Sequence, residues 1–106
     1  MGGKIMTKIQ DVLKAAQNAY GLLLENDKVR VMEMRLKPGQ KAPMHDHPND
    51  HVVYVMKDAT FKLNFPDGKS LDIELKSGKV IWMEAGQHET ENVGTTDGHN
   101  LVIELK

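Results

Sequence analysis

An all-β sandwich or barrel, preceded by a short N-terminal helix or arm, is the fold class this sequence predicts, on three observations. From Gly21 onward, short runs rich in Val, Ile, Leu, Phe and Met are each bounded by turn residues. Two runs, Phe61-Leu63-Phe65 and Leu71-Ile73-Leu75, alternate with polar residues, the period of a strand that buries one face. Pro38-Gly39 and Asp67-Gly68 supply the restricted or positive φ that tight turns need.

Taken in order, Ile9, Val12, Leu13, Ala16 and Ala19 stand at helix-like spacing. Residues 1–20 are therefore read as a short helix or irregular arm, and residues 21–106 as the barrel. The runs that follow are LLLE (22–25), VRVMEMRLK (29–37), VVYVMK (52–57), TFKLNF (60–65), SLDIELK (70–76), VIWME (80–84) and LVIELK (101–106). The turns between them are short, which predicts a meander of antiparallel hairpins. VVYVM does not alternate, so this strand is expected to be covered on both faces, by the barrel interior and by the N-terminal arm or a partner subunit. A small barrel also has edges to protect, and a homodimer is expected.

With 106 residues, 40% of them apolar, the chain can bury one core and is too short for two ordinary domains. A formal net charge of -1 provides no field that would attract nucleic acid or an anionic membrane surface. The start MGGKIMTK lacks the apolar core of a secretory signal, and no run is long enough to span a bilayer, so a cytoplasmic protein is expected. With no cysteine in the chain, any metal must be held by His, Asp, Glu or backbone oxygen.

Three of the five histidines lie within seven residues, His45-Asp46-His47-Pro48-Asn49-Asp50-His51, and a fourth is His88. Alternate side chains of a strand share a face, so His45 and His47 would point the same way, as two imidazoles binding one ion must. His51 has the same parity, although Pro48 interrupts the strand between them. The plainer alternative for each is an ordinary hydrogen-bonded or surface histidine.

The wider pattern resembles the two motifs of the cupin superfamily, G-x5-H-x-H-x3,4-E-x6-G and G-x5-P-x-G-x2-H-x3-N. In the first, Gly39, His45 and His47 match at full spacing, His51 stands where the family has Glu, and Asp58 replaces the closing Gly. In the second, Gly78 is followed by Glu84 in place of Pro, then Gly86; His88 comes one residue early, and Asn92 follows it at the family's spacing. The resemblance covers residues 21–106 and implies a jelly-roll barrel holding one divalent transition metal ion through His45, His47 and His88, with His51 as fourth ligand.

With no protein carboxylate on the ion, such a centre would favour an anionic small-molecule ligand, a carboxylate, enolate or diketone-like oxygen pair. All-imidazole ligation favours Fe, Co, Ni, Cu or Zn over Mn or Mg. The family's activities then imply a metal-dependent dioxygenase or isomerase acting on a small organic acid or diketone, or a non-catalytic binding or sensing module, and the fold alone does not choose. Glu84, Glu89, Glu91 and Tyr54 are the candidate bases, with rim or strand positions as the alternative. Trp82, with Met32, Met34, Met56 and Met83, is read as core rather than a substrate cage. His99, beside Gly98 in the last turn, is read as a surface residue.

Overall fold

The computed structural model describes residues 8–106. The first seven residues of the expected arm lie outside the described residues. One helical turn, α1 (Val12–Ala15), is followed by β1 (Tyr20–Glu25), β2 (Val29–Leu36), β3 (Lys41–His47), β4 (His51–Val55), β5 (Ala59–Asn64), β6 (Ser70–Leu75), β7 (Val80–Met83), β8 (Gly86–Asn92) and β9 (Gly98–Leu105). The helix is much shorter than the Lys8–Tyr20 periodicity implied. Asp11 starts it by accepting a hydrogen bond from the Leu13 amide, and Ala16 already leaves helical geometry.

The strands form two antiparallel sheets with orders β1-β2-β9-β4-β7 and β3-β8-β5-β6. The expected meander is therefore wrong in its connectivity. Only β1-β2 and β5-β6 are sequential hairpins, and the other pairings join strands distant in sequence. Two facing sheets bury a common apolar layer between them, which a flat meander of this composition could not. Gly39, Gly68 and Gly78 carry the positive φ of the turns at +82, +89 and +86°. Gly98, the first residue of β9, is required for another reason: a Cβ there would collide with the Phe61 ring.

β3 and β8 are the strands that the apolar-run criterion passed over. Their inward residues are Ala42, His45 and His47 on one, and His88, Thr90 and Asn92 on the other. Polar inward faces hide such strands from a search for apolar residues.

Val12, Ala16 and Ala19 are buried with Met32, Met34, Leu36 and Val102 in a single core, so the arm is part of the barrel's packing. It also covers an edge. The Asp46 amide donates to the Gln10 carbonyl at 2.8 Å, beside an isolated parallel bridge between Asp11 and Asp46, which blunts the free side of β3.

The described part of the arm, residues 8–20, therefore lies against β3 and not against β4, where the non-alternating VVYVM run suggested a cover. The outer face of the five-stranded sheet carries a cross-strand row in register, Trp82, Val52, Ile103, Val31 and Leu24. Trp82 and Leu24 are about half exposed, and so are Tyr54 and Val80 nearby. Trp82 is thus neither core nor cage. Its parity on β7 directs it outward while Ile81 and Met83 face the interior. Met32 and Met34 are core, as expected, whereas Met56 is exposed.

Candidate metal centre

His45 and His47 are two residues apart on β3 and share its inner face, and His88 on β8 stands directly opposite His45. His51 opens β4, opposite Glu104 of β9. All four imidazoles are buried, His45 completely. The ring nitrogens of His45, His47 and His88 lie within 4.8 Å of one another and form a group that could hold a metal ion. His51 stands beside them, its ring stacked on that of His47 at 4.3 Å between centroids.

Hydrogen bonds orient these rings. The Nδ1–H of His45 donates to the Pro43 carbonyl at 2.6 Å, that of His51 to the Asn49 carbonyl at 3.0 Å, and that of His47 to the Glu104 carboxylate at 3.0 Å. A carbonyl oxygen can only accept, so Nδ1 carries the proton in His45 and His51, and their Nε2 atoms are left with the lone pair. Partners of this kind fix the tautomer and ring angle of metal-binding histidines.

The consequence is visible at the centre, where His45 Nε2 and His47 Nε2 are 3.1 Å apart. Nitrogen ligands about 2.0–2.1 Å from a common ion sit roughly 3 Å from each other, so this pair fits a transition metal without rearrangement. His88, opposite His45 on β8, would supply the third nitrogen. Burial pushes His45 down to about 4 and His88 down to about 3, in both cases aided by the neighbouring histidines, and lowers His51 as well. Neutral imidazoles are the form that ligates.

Glu104 is fully buried. Burial alone would raise its carboxyl, but the hydrogen bonds from His47 and Arg30 outweigh that and hold it below the usual range. Arg30 donates to Glu104 through Nε at 3.0 Å and Nη2 at 2.7 Å, and grips Asp11 in a two-pronged pair at 2.8 and 3.0 Å. The run Asp11–Arg30–Glu104–His47 therefore leads from the cap of α1 to the histidine cluster. Two carboxylates and one guanidinium leave one formal negative charge behind His47, which partly offsets a divalent ion without binding it. Tyr20, packed edge-on against His45 and His47, has its phenol raised by burial and by the Glu104 charge, and stays protonated.

The sequence reading missed Glu104, Arg30 and Tyr20 as site residues. The signal was strand parity: Arg30 shares the inward face of Met32 and Met34, and Glu104 that of Val102, so each places a charge on an apolar face.

The candidate bases lie elsewhere. Glu84 and Tyr54 are exposed, while Glu89 and Glu91 have the parity opposite to His88 and face away from the barrel interior. Glu89 accepts a hydrogen bond from Asn64. His99 corrects another expectation, being buried with its Nε2 bonded to Glu33 at 2.7 Å. Asn92, at the end of the second motif, is a structural tie: its amide donates to the Leu36 and Thr96 carbonyls and accepts from the Gly94 amide.

Beside the histidines lies a cavity of about 50 Å³, lined by His47, His51 and His88 and by apolar side chains from both sheets. At roughly 10–15 Å³ per water it has room for a few waters or a short organic ligand. Among the described residues, no Asp, Glu, Lys or Arg lines it.

No family model matches the chain. The chain is similar to a cupin domain from Bordetella pertussis Tohama I, with a TM-score of 0.76 and 26% identity over 95% of this chain and 99% of that one. An RmlC-like cupin with a double-stranded β-helix fold from Methanocaldococcus jannaschii superposes over 97% of this chain and 93% of its own, with a TM-score of 0.64 and 15% identity. In sequence, the chain is 32% identical over 80 residues to the β-alanine degradation protein BauB of Pseudomonas aeruginosa, spanning 76% of this chain and 81% of that protein. With the double-sheet barrel, the inward histidines and these relatives in agreement, the chain belongs to the cupin superfamily.

Proposed function

We propose that the protein holds one divalent transition metal ion through His45, His47 and His88, with His51 as fourth ligand, and is a metal-dependent enzyme of small organic acids. One observation carries this reading: two buried histidines direct Nε2 at Nε2 across 3.1 Å while both Nδ1 atoms are engaged elsewhere, beside a cavity. Nitrogens at that distance need a cation between them, a proton on one ring or a metal ion, and the neutral state that burial favours for His45 and His88 supports the metal. When bound, the ion would supply Lewis-acid or redox chemistry according to its identity. Four imidazoles favour Fe, Co, Ni, Cu or Zn.

The chain's own residues define what could bind. Among the described residues the cavity lining has no Asp, Glu, Lys or Arg, so an acid entering it finds its counter-charge at the histidine end. The apolar walls exclude water from that end and orient a short aliphatic body. The relative named for β-alanine degradation is consistent with a small acid as substrate.

A second reading, a metal-containing binding or sensing module without turnover, is favoured by one observation. None of Glu84, Glu89, Glu91 and Tyr54 lines the cavity, which leaves no carboxylate there to act as a base. Elemental analysis of protein purified without added metal, followed by oxygen-uptake and isomerisation assays on short acids and diketones, separates the two. Bound iron with substrate-dependent oxygen uptake supports an oxygenase. Bound metal with acid binding and no turnover supports the module, and absence of stoichiometric metal overturns both.

A further inference from the structure

We infer that Asn100 recognises the far end of the ligand, and that the cavity takes a short aliphatic acid bearing a terminal hydroxyl, its carboxylate at the histidine end and its hydroxyl on the Asn100 amide. The inference rests on the proposed reading of the histidines as the acid-binding end.

Asn100 lies on the inner face of β9 and is 3% exposed. Its Oδ1 is a buried side-chain oxygen with no hydrogen-bond partner among the described residues, and its Nδ2 makes only a 4.0 Å contact with Met34 Sδ. Such a group costs free energy unless something completes it. Asn100 lines the same cavity as His47, His51 and His88. It is also displaced from them: Glu104, which faces His51, is four residues further along β9, about 13 Å at strand rise. Between the two ends the lining is mostly apolar, with Val53, Val102, Ile81, Met83 and Leu63; the Tyr20 phenol belongs to the ring packed against His45 and His47, and Thr90, two residues from His88 on β8, adds one hydroxyl. Asn100 is thus the polar group of the far end, and its Oδ1 is the buried oxygen left without a partner, so a ligand spanning the apolar stretch has polarity at both of its ends.

The kind of far end follows from charge. An ammonium buried against one neutral amide, with no carboxylate in the lining, would lose far more hydration than one hydrogen bond returns. A methyl group would leave Oδ1 unpaired. A hydroxyl donates one hydrogen bond at little desolvation cost, and matches the amide oxygen.

Titration of Co(II)-loaded protein, followed by calorimetry and by the visible Co(II) absorption, tests this with the unsubstituted acids of three to five carbons and their ω-hydroxy and ω-amino counterparts. At the best-fitting length the wild type should bind the hydroxy acid about five- to tenfold more tightly than the unsubstituted one, the scale of one buried hydrogen bond. Asn100→Leu should erase that preference with Co(II) stoichiometry retained, and Asn100→Asp should move it to the amino acid. Should the hydroxyl preference survive in Asn100→Leu, the hydroxyl is bound elsewhere, by the ion or by Thr90, and the assignment of Asn100 is wrong. Equal binding of hydroxy and unsubstituted acids by the wild type also overturns it while leaving the acid site intact. If the Co(II) protein binds none of these acids, the acid-binding reading itself fails and takes this one with it.

Discussion

The Nδ1–H of His47 donates to Glu104 Oε2 at 3.0 Å, and the same carboxylate takes two hydrogen bonds from Arg30. The cupin motif's glutamate position is occupied by His51, so the nearest buried anion acts on the centre through an imidazole instead of through its own oxygen. Glu104→Gln keeps the shape, removes the charge and weakens the hold on the His47 ring. Metal affinity is expected to fall by roughly 10- to 100-fold, the usual effect of losing such a partner. His99→Ala, whose bond to Glu33 lies outside the cluster, should leave it unchanged. Equal affinities for wild type and Glu104→Gln in a competitive chelator titration would show that the carboxylate only holds Arg30.

His45→Ala and His88→Ala should each abolish stoichiometric metal, because the two lie on different strands and neither can replace the other. His51→Ala should weaken binding without abolishing it. His51→Glu would place a carboxylate at the family's usual position, raising affinity for Mn(II) relative to Ni(II) or Zn(II) and lowering affinity for small anions. Competitive titration reads the ratio, and an unchanged ratio would remove His51 from the ligand set.

Metal-free protein should lose stability between pH 7 and pH 5. Burial depresses His45 to about 4 and His88 to about 3, so below the ordinary histidine value of about 6.5 the unfolded chain takes up protons that the folded one refuses. Stability from these groups is complete above that value and is lost as the pH falls toward 4 and 3. The loss at pH 5 is roughly 2 kcal/mol for each histidine. Urea unfolding at the two pH values measures it, and a flat profile would mean that the rings are solvated.

The row Trp82, Val52, Ile103, Val31 and Leu24 crosses all five strands of one sheet and forms an apolar outer face, with β1 and β7 as the edge strands among the described residues. A second copy of the chain covering this face is the expected occupant, as a homodimer. Sedimentation equilibrium should give twice the monomer mass at micromolar concentration, and Ile103→Glu or Trp82→Glu should shift it to monomer. A wild-type monomer under those conditions would rule the homodimer out.

Much of this protein is written locally along the chain. Turn glycines at 39 and 68, the apolar runs and the shared parity of His45 and His47 depend only on residue type and on the alternation of a strand, and each appears in the fold as read. Pairing between distant segments is another matter. That His88 faces His45, that Glu104 faces His51, and that Arg30 joins Asp11 to Glu104 across 19 and 74 residues depend on how two sheets close over one another. The same closure buried His99 and turned Trp82 outward, against the sequence reading, because burial is decided by which strand lies alongside and which face is covered. It also left the Asn100 oxygen unpaired beside the cavity, since a residue's parity gives the face it points to and only the assembled barrel determines what it meets there.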